Sequence, residues 1–282
     1  MRNLAAQGAA AEAARAIQKE FGRRDYTTGL ILGTGWGGKL RLDGQQRLSF
    51  SRIPGFSQIQ ALEGHEREVV VGKLGQQNVI MLSGRVHINE ASADPNIHRM
   101  VRLQTEMLMQ LSVPTLIVTC AAGSLPHRKF GFLWRDDIKV GSLVVIDGFV
   151  TVFAPDMPLW AGEFCSPEDV LSPRLRKIAV HYADSYVGGK ITTAGYAMVR
   201  GPYFEGRRYD KALIAKSNAG IVGMSTLPEA CIASLYPGTE VLALAFVTND
   251  CLEVHSHREN LARANLASQH LGNYLLRIVK SI

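Results

Sequence analysis

The 282-residue chain contains no run of 18 or more apolar residues, so nothing in it reads as a membrane-spanning helix. It has only four cysteines, Cys120, Cys165, Cys231 and Cys251, and none forms a CxxC pair. That argues against a structural zinc site and for free thiols in a reducing compartment, the cytoplasm. Aromatics are sparse at 7%, and no stripe of lysine and arginine interleaved with them marks a nucleic-acid track. The net charge is +6, but the bases are scattered, densest at Arg23–Arg24 and Arg207–Arg208. Such a bias is compatible with a small anionic substrate. There is no internal repeat and no low-complexity linker. The opening segment, MRNLAAQGAAAEAARAIQKEF, is interrupted by Gln7, Glu12 and Arg15. It lacks the apolar core of a secretory leader and reads as an amphipathic helix.

What is present is an alternation of apolar strands with helical patterns. Strands are expected at residues 29–33, 69–73, 78–83, 114–119, 142–147, 192–199, 219–222 and 241–248. Helical spacing marks 97–111, 175–182 and 257–279. This predicts an α/β fold with a mixed, mostly parallel central sheet flanked by helices. With no linker to divide it, residues 1–282 are read as a single domain. Residues 148–175 carry four prolines and form a long irregular connection of a kind that is often functional.

Five strands finish in small or polar residues: at Thr34, at Arg85, in the 120–124 turn, at Ser225 and at Asn249. In open α/β sheets the ligand lies beyond the carboxyl ends of the strands. Thr34, Arg85, His87 and Ser225 offer a guanidinium fork, an imidazole and two hydroxyls, a set that suits a tetrahedral oxyanion such as phosphate. Phe204, Glu205 and Asn249 offer a stacking face, a carboxylate and an amide, which suit a purine edge. The stretch GMSTLPEA at 223–230 adds a strand-to-helix junction. There Thr226 and Glu229 fit a capping box and Ser225 sits at a helix N-terminus, a natural anion site. The glycine loop beginning at Gly33 formally matches GxGxxG. No second strand with an acidic end follows at the right distance, so a dinucleotide site is the minority reading. His255 and His257 form a possible metal pair without a partner cluster, and no metal site is expected.

In chain order, LILGTGWGG, IPGFSQIQALEGHE, MLSGRVH, TLIVTCAAGSL, AMVRGPYFEG, GIVGMSTLPEA and FVTND run from residue 30 to residue 250. Together they resemble the trimeric purine nucleoside phosphorylase family, the group that includes methylthioadenosine phosphorylase. The pairing of GPYFE with GMSTLPE is the specific part. The resemblance implies a nucleoside phosphorylase-like fold and a cytoplasmic homotrimer that needs no cofactor. It implies reversible phosphorolysis of a purine nucleoside, with inorganic phosphate as co-substrate and no nucleic-acid or membrane partner. Phosphate would be held by Thr34, Arg85, His87, Ser225 and the backbone near Ala121. The base would be held by Glu205 and Asn249 with Phe204 against its face; Glu205, Asn249, His257 and His87 would carry the catalysis. Met224 and His257 would meet the ribose, with His255 a competitor for the histidine role. His65 resembles a residue of a loop near the phosphate. Three departures stand out: Cys120 replaces an asparagine, Asn89 replaces an aromatic at the ribose, and the 126–137 segment is longer. Phe164 is the candidate for the aromatic that a neighbouring subunit contributes. A pairing of Glu205 with Asn249 suggests 6-oxopurines. Asp250 competes with Asn249 for the base, and in that role it would favour 6-aminopurines and a methylthioadenosine-type activity.

Overall fold

The computed structural model describes residues 4–37, 40–56, 66–90, 94–125, 138–160, 162–201, 203–206, 208–250 and 253–282. Among these residues nine strands form one sheet: β1 (Thr28–Leu32), β2 (Asp43–Ser49), β3 (Glu68–Leu74), β4 (Gln77–Ser83), β5 (Thr115–Ser124), β6 (Leu143–Val150), β7 (Ile191–Met198), β8 (Ile221–Gly223) and β9 (Glu240–Asn249). Six α-helices accompany them: α1 (Leu4–Phe21), α2 (Pro95–Gln110), α3 (Pro173–His181), α4 (Asp210–Ala215), α5 (Leu227–Ser234) and α6 (His257–Ser281). The strand order is β2-β3-β4-β1-β5-β8-β7-β6-β9, and β9 pairs back onto β5. Five of the nine pairings are parallel. The last five strands therefore close into a ring, while β2, β3 and β4 extend from its other side as an antiparallel meander.

The central strands are apolar throughout because both their faces are covered. In β1, Ile31 enters one core while Leu30 and Leu32 enter the other. In β9, Val241, Ala243 and Ala245 share the first core, and Leu242 and Leu244 the second. On the first face lie α1, α2 and α5, with Ala10, Ala13, Ala14 and Ile17 of α1 at helical spacing. On the second lie α3 and α6, with Leu271, Leu275 and Ile278 at i, i+4 and i+7. Pro95 follows the N-cap Asp94 of α2, whose side chain accepts from Asn96 N.

Two elements lie outside the expectations. Strand β2 is polar, DGQQRLS, with most residues exposed, so it shows no burial alternation. Helix α4 is only six residues long, too short for a period to be read. Among the described residues, no helix lies between β1 and β2. The chain turns at 34–36 and proceeds to β2, which removes the context a dinucleotide fingerprint requires.

The long connection at 151–172 is fastened to α2 by buried charge. Arg102 makes a two-pronged contact with Glu163, at 2.6 and 2.8 Å, and reaches Glu106 at 2.7 Å. The Tyr236 hydroxyl donates to the same Glu106 oxygen at 2.9 Å, and Trp160 N donates to Glu163. Burial pushes the Glu163 carboxyl up, but hydrogen bonds from Arg102 and the Trp160 N–H outweigh it and hold it below its usual value. A carboxyl lowered in this way stabilises the fold above its unfolded pKa, and that contribution is lost as pH falls through the lowered value. Removing one partner strands the other's charge. We therefore expect Arg102→Leu to cost about 3–5 kcal/mol in urea unfolding at pH 7. The wild-type protein should lose more stability than Glu163→Gln as the pH is lowered through the carboxylate range.

Candidate active site

Strands β1, β4, β5 and β9 run parallel, so their carboxyl ends meet on one side of the sheet. A cavity of about 520 Å³ opens there, a size typical of small-molecule sites. Its walls include Thr34, Arg85, His87, Ala121 and Ser225, together with Met224, Asn89 and His257. Phe204, Glu205 and Asn249 line it as well. His65 lies outside the described residues. Thus the residues singled out for an anion and those singled out for a purine edge share one chamber, although up to 215 positions separate them in sequence (Thr34 to Asn249).

At one end the polar groups are held by backbone and ion-pair contacts. The Arg85 guanidinium is almost fully buried. It donates to Glu229 Oε1 at 2.8 Å, to Ile31 O at 3.4 Å and to Thr119 O. Glu229 is thereby taken from its expected place in a capping box. Thr226 does occupy the N-cap position of α5, but at φ +79° and without a side-chain cap bond. A capping box needs an extended N-cap backbone, which the left-handed turn at Thr226 does not supply. Ser225 N donates to the Tyr196 hydroxyl at 3.1 Å. Gly223 permits that approach, since a Cβ there would lie 2.4 Å from the Tyr196 oxygen.

His87 is oriented by its neighbours. Its backbone N–H donates to Glu90 Oε1 at 2.6 Å, and its Nδ1 accepts from Asn89 N at 3.3 Å. A neutral His87 therefore carries its proton on Nε2. Glu90 is itself gripped by Arg67 at 2.6 Å. Asn89 Nδ2 reaches Met224 O at 3.5 Å, and Asn89 Oδ1 is buried without a hydrogen-bond partner among the described residues. Gly201 makes room for both, because a Cβ there would meet Met224 Sδ at 2.6 Å. Burial pushes the Cys120 thiol up to about 11, so it stays protonated at neutral pH.

The other end is organised by Asn249, the last residue of β9. A Cβ at Gly123 would lie 2.6 Å from Asn249 Nδ2, so glycine is required opposite the amide. Asp250, also proposed for the base, does not line the cavity. Its side chain and carbonyl are engaged elsewhere: Asp250 Oδ1 accepts from Glu253 N at 2.9 Å, and Asp250 O accepts from Lys211 Nζ at 3.2 Å. Burial raises the Glu205 carboxyl above its usual value, and the nearby Asp210 charge adds to this. His257 is exposed at the start of α6, where Ser256 and Glu259 form a capping box. His255 is half-buried, edge-on to Phe204 with ring centroids 4.5 Å apart. Its two ring nitrogens face Asn249 and Asn260, so they are not disposed as a metal pair with His257.

The residues that sequence reasoning missed are Glu90, Asn260 and Lys211. Glu90 lay three residues from the recognised His87. Asn260 had no signal beyond its place in the tail helix. Buried Lys211 sits in the unread α4.

Known proteins resemble the chain over most of its length. The phosphorylase superfamily pattern matches residues 27–280. The purine nucleoside phosphorylase of Mycobacterium tuberculosis is 30% identical over 96% of this chain and 95% of its own length. That of Rattus norvegicus is 29% identical, over 90% of this chain and 88% of its own. In fold, the chain resembles isoform 2 of Schistosoma mansoni purine nucleoside phosphorylase, solved with cytosine and ribose-1-phosphate. The TM-score is 0.81 at 22% identity, covering 98% of this chain and 96% of that one. A Schistosoma purine nucleoside phosphorylase solved with guanosine gives a TM-score of 0.79 at 24% identity, covering 98% of this chain and 97% of that one. The chain belongs to the phosphorylase superfamily, in its purine nucleoside phosphorylase family.

Proposed function

We propose that this protein catalyses reversible phosphorolysis of purine ribo- or deoxyribonucleosides, with 6-oxopurines such as inosine and guanosine preferred. The observation that carries the reading is the convergence of an oxyanion set and a purine set on one cavity. Phosphate would sit among Thr34, His87, Ser225 and the backbone at Ala121, over the fixed positive charge of Arg85. The sugar would lie against Met224, with Asn89 Oδ1 available to accept from a hydroxyl and His257 at its outer side. The purine would meet Phe204, Glu205 and Asn249.

In this reading the C–N glycosidic bond breaks first and leaves an oxocarbenium-like sugar. The phosphate dianion beneath stabilises that charge, then forms the new C–O bond. The departing base gains electron density. Asn249 N–H stabilises it at N7 while Glu205 accepts from the ring N–H. The products are free base and pentose 1-phosphate. Inorganic phosphate is a co-substrate, and no cofactor enters the scheme. Because Asn249 rather than Asp250 lines the cavity, this favours the 6-oxopurine reading over a methylthioadenosine-type one. The 89% exposed Phe164 is the ring we assign to a neighbour's site in a homotrimer. No described helix is long and apolar enough to cross a membrane, and a cytoplasmic enzyme is proposed.

Base release from inosine, guanosine, adenosine and methylthioadenosine, with and without phosphate, tests the reaction. We expect phosphate-dependent release, fastest from the first two; release without phosphate overturns the proposal. Glu205→Ala should lower kcat/KM for inosine about a hundredfold or more, the scale of one lost transition-state contact. If Glu205 acts ionised, its raised carboxyl places the acid limb of the kcat/KM profile above the ordinary glutamate range, and Glu205→Gln should abolish that limb. Light scattering should give three chains per particle.

A further inference from the structure

Three side chains at the base end form a continuous hydrogen-bonded line. Asn249 Nδ2 is 3.0 Å from His255 Nε2, and Asn260 Nδ2 is 2.9 Å from His255 Nδ1. Asn249 and Asn260 are both buried, and all three residues line the cavity. A neutral imidazole has one N–H and one bare nitrogen. It cannot accept from two amides at once. One of the two asparagines must therefore turn its Oδ1, not its Nδ2, toward the ring. Side-chain amides look alike at both ends, so the hydrogen-bond network decides which one turns.

The surroundings of Asn249 decide it. If its carbonyl stays on the far side, it competes with Ala122 O for the single Thr248 hydroxyl proton, at 3.2 and 3.4 Å. If Asn249 turns, its Nδ2 donates to Thr248 Oγ1, and Thr248 donates to Ala122 O. His255 Nε2–H then donates to Asn249 Oδ1, and Asn260 Nδ2–H donates to His255 Nδ1. Each of these contacts of Asn249, Thr248 and His255 then has one donor and one acceptor. Burial, followed by the charge of Lys211, pushes the His255 imidazolium toward its neutral form. Phe204 edge-on to the ring limits its rotation.

We infer that His255, held by Asn260, is a positioning and specificity residue: it holds the Asn249 Oδ1, so that one Nδ2 hydrogen goes to Thr248 and the other is left for the purine. This rests on the assignment of the purine to that end of the cavity. A locked N–H side requires an acceptor on the ligand. It selects bases that present a bare ring nitrogen at N7 and penalises those carrying C–H there. Without His255 the amide is free to turn, and the selection disappears although Asn249 is still present.

The test compares binding of inosine and 7-deazainosine, which differ by one ring atom, to the wild-type, His255→Leu and His255→Gln proteins. The wild-type protein should bind inosine about tenfold tighter, the scale of one hydrogen bond to a buried group. His255→Leu should bring the ratio close to one by weakening inosine. His255→Gln, which retains a donor, should restore part of it. An unchanged ratio, or an equal loss for both nucleosides, overturns the inference, because a merely structural histidine would move both together. Nitrogen-15 NMR of histidine-labelled wild-type protein reads the tautomer directly, with the His255 signal assigned by its absence in His255→Gln. Nε2–H is expected, and Nδ1–H overturns the inference. Should neither nucleoside bind the wild-type protein, the phosphorolysis reading fails, while the tautomer still decides the hydrogen-bonded line.

Discussion

The buried pair of Arg85 and Glu229 ties the cavity together. Arg85 follows β4, Glu229 lies in the first turn of α5, and the same guanidinium reaches carbonyls of β1 and β5. Two charges so far from water are costly unless each is matched, so the pair fixes how four elements approach one another. It also explains the abandoned capping box, because the carboxylate cannot serve both the helix terminus and the guanidinium. The second Glu229 oxygen is buried without a hydrogen-bond partner among the described residues. A cation held in this way would already be in place for the phosphate proposed to bind there, lowering the reorganisation that charge stabilisation would otherwise demand.

From that anchor the cavity divides into regions of different character. The Arg85 end is set by backbone and buried charge, and glycines at 201 and 223 allow side chains to approach where a Cβ would collide. The Asn249 end is set by neutral amides and an imidazole, whose geometry depends on where protons reside. Glu205 and His255 each feel the charge of Lys211, and burial favours the uncharged form of both.

Much of this was legible in the chain. Strands buried on both faces are continuous apolar runs, and the period of α6 is unbroken, so the α/β pattern could be read directly. Cavity residues were legible where strands ended in polar side chains, as at Arg85 and Asn249. Pairings across long sequence distances were not. The link of Arg85 with Glu229 spans 144 positions, and no local spacing encodes it. The choice between Asn249 and Asp250 was also closed to sequence reasoning. It depends on the last register of β9 against Gly123 and on the hydrogen bond that ties Asp250 to Glu253.

Strand β2 escaped reading for a reason that has its own physical consequence. Since β9 returns to β5, the described sheet has a single open border, and β2 forms it. An unpaired border is where a second polypeptide adds by strand pairing. This one presents Asp43, two glutamines and Arg47, with Arg47 paired to Glu68 of the neighbouring strand at 2.7 Å. Any strand docking there would have to dehydrate charged and amide groups with little apolar surface in return. The polarity that hides β2 from a search for buried strands also keeps the sheet from growing beyond nine.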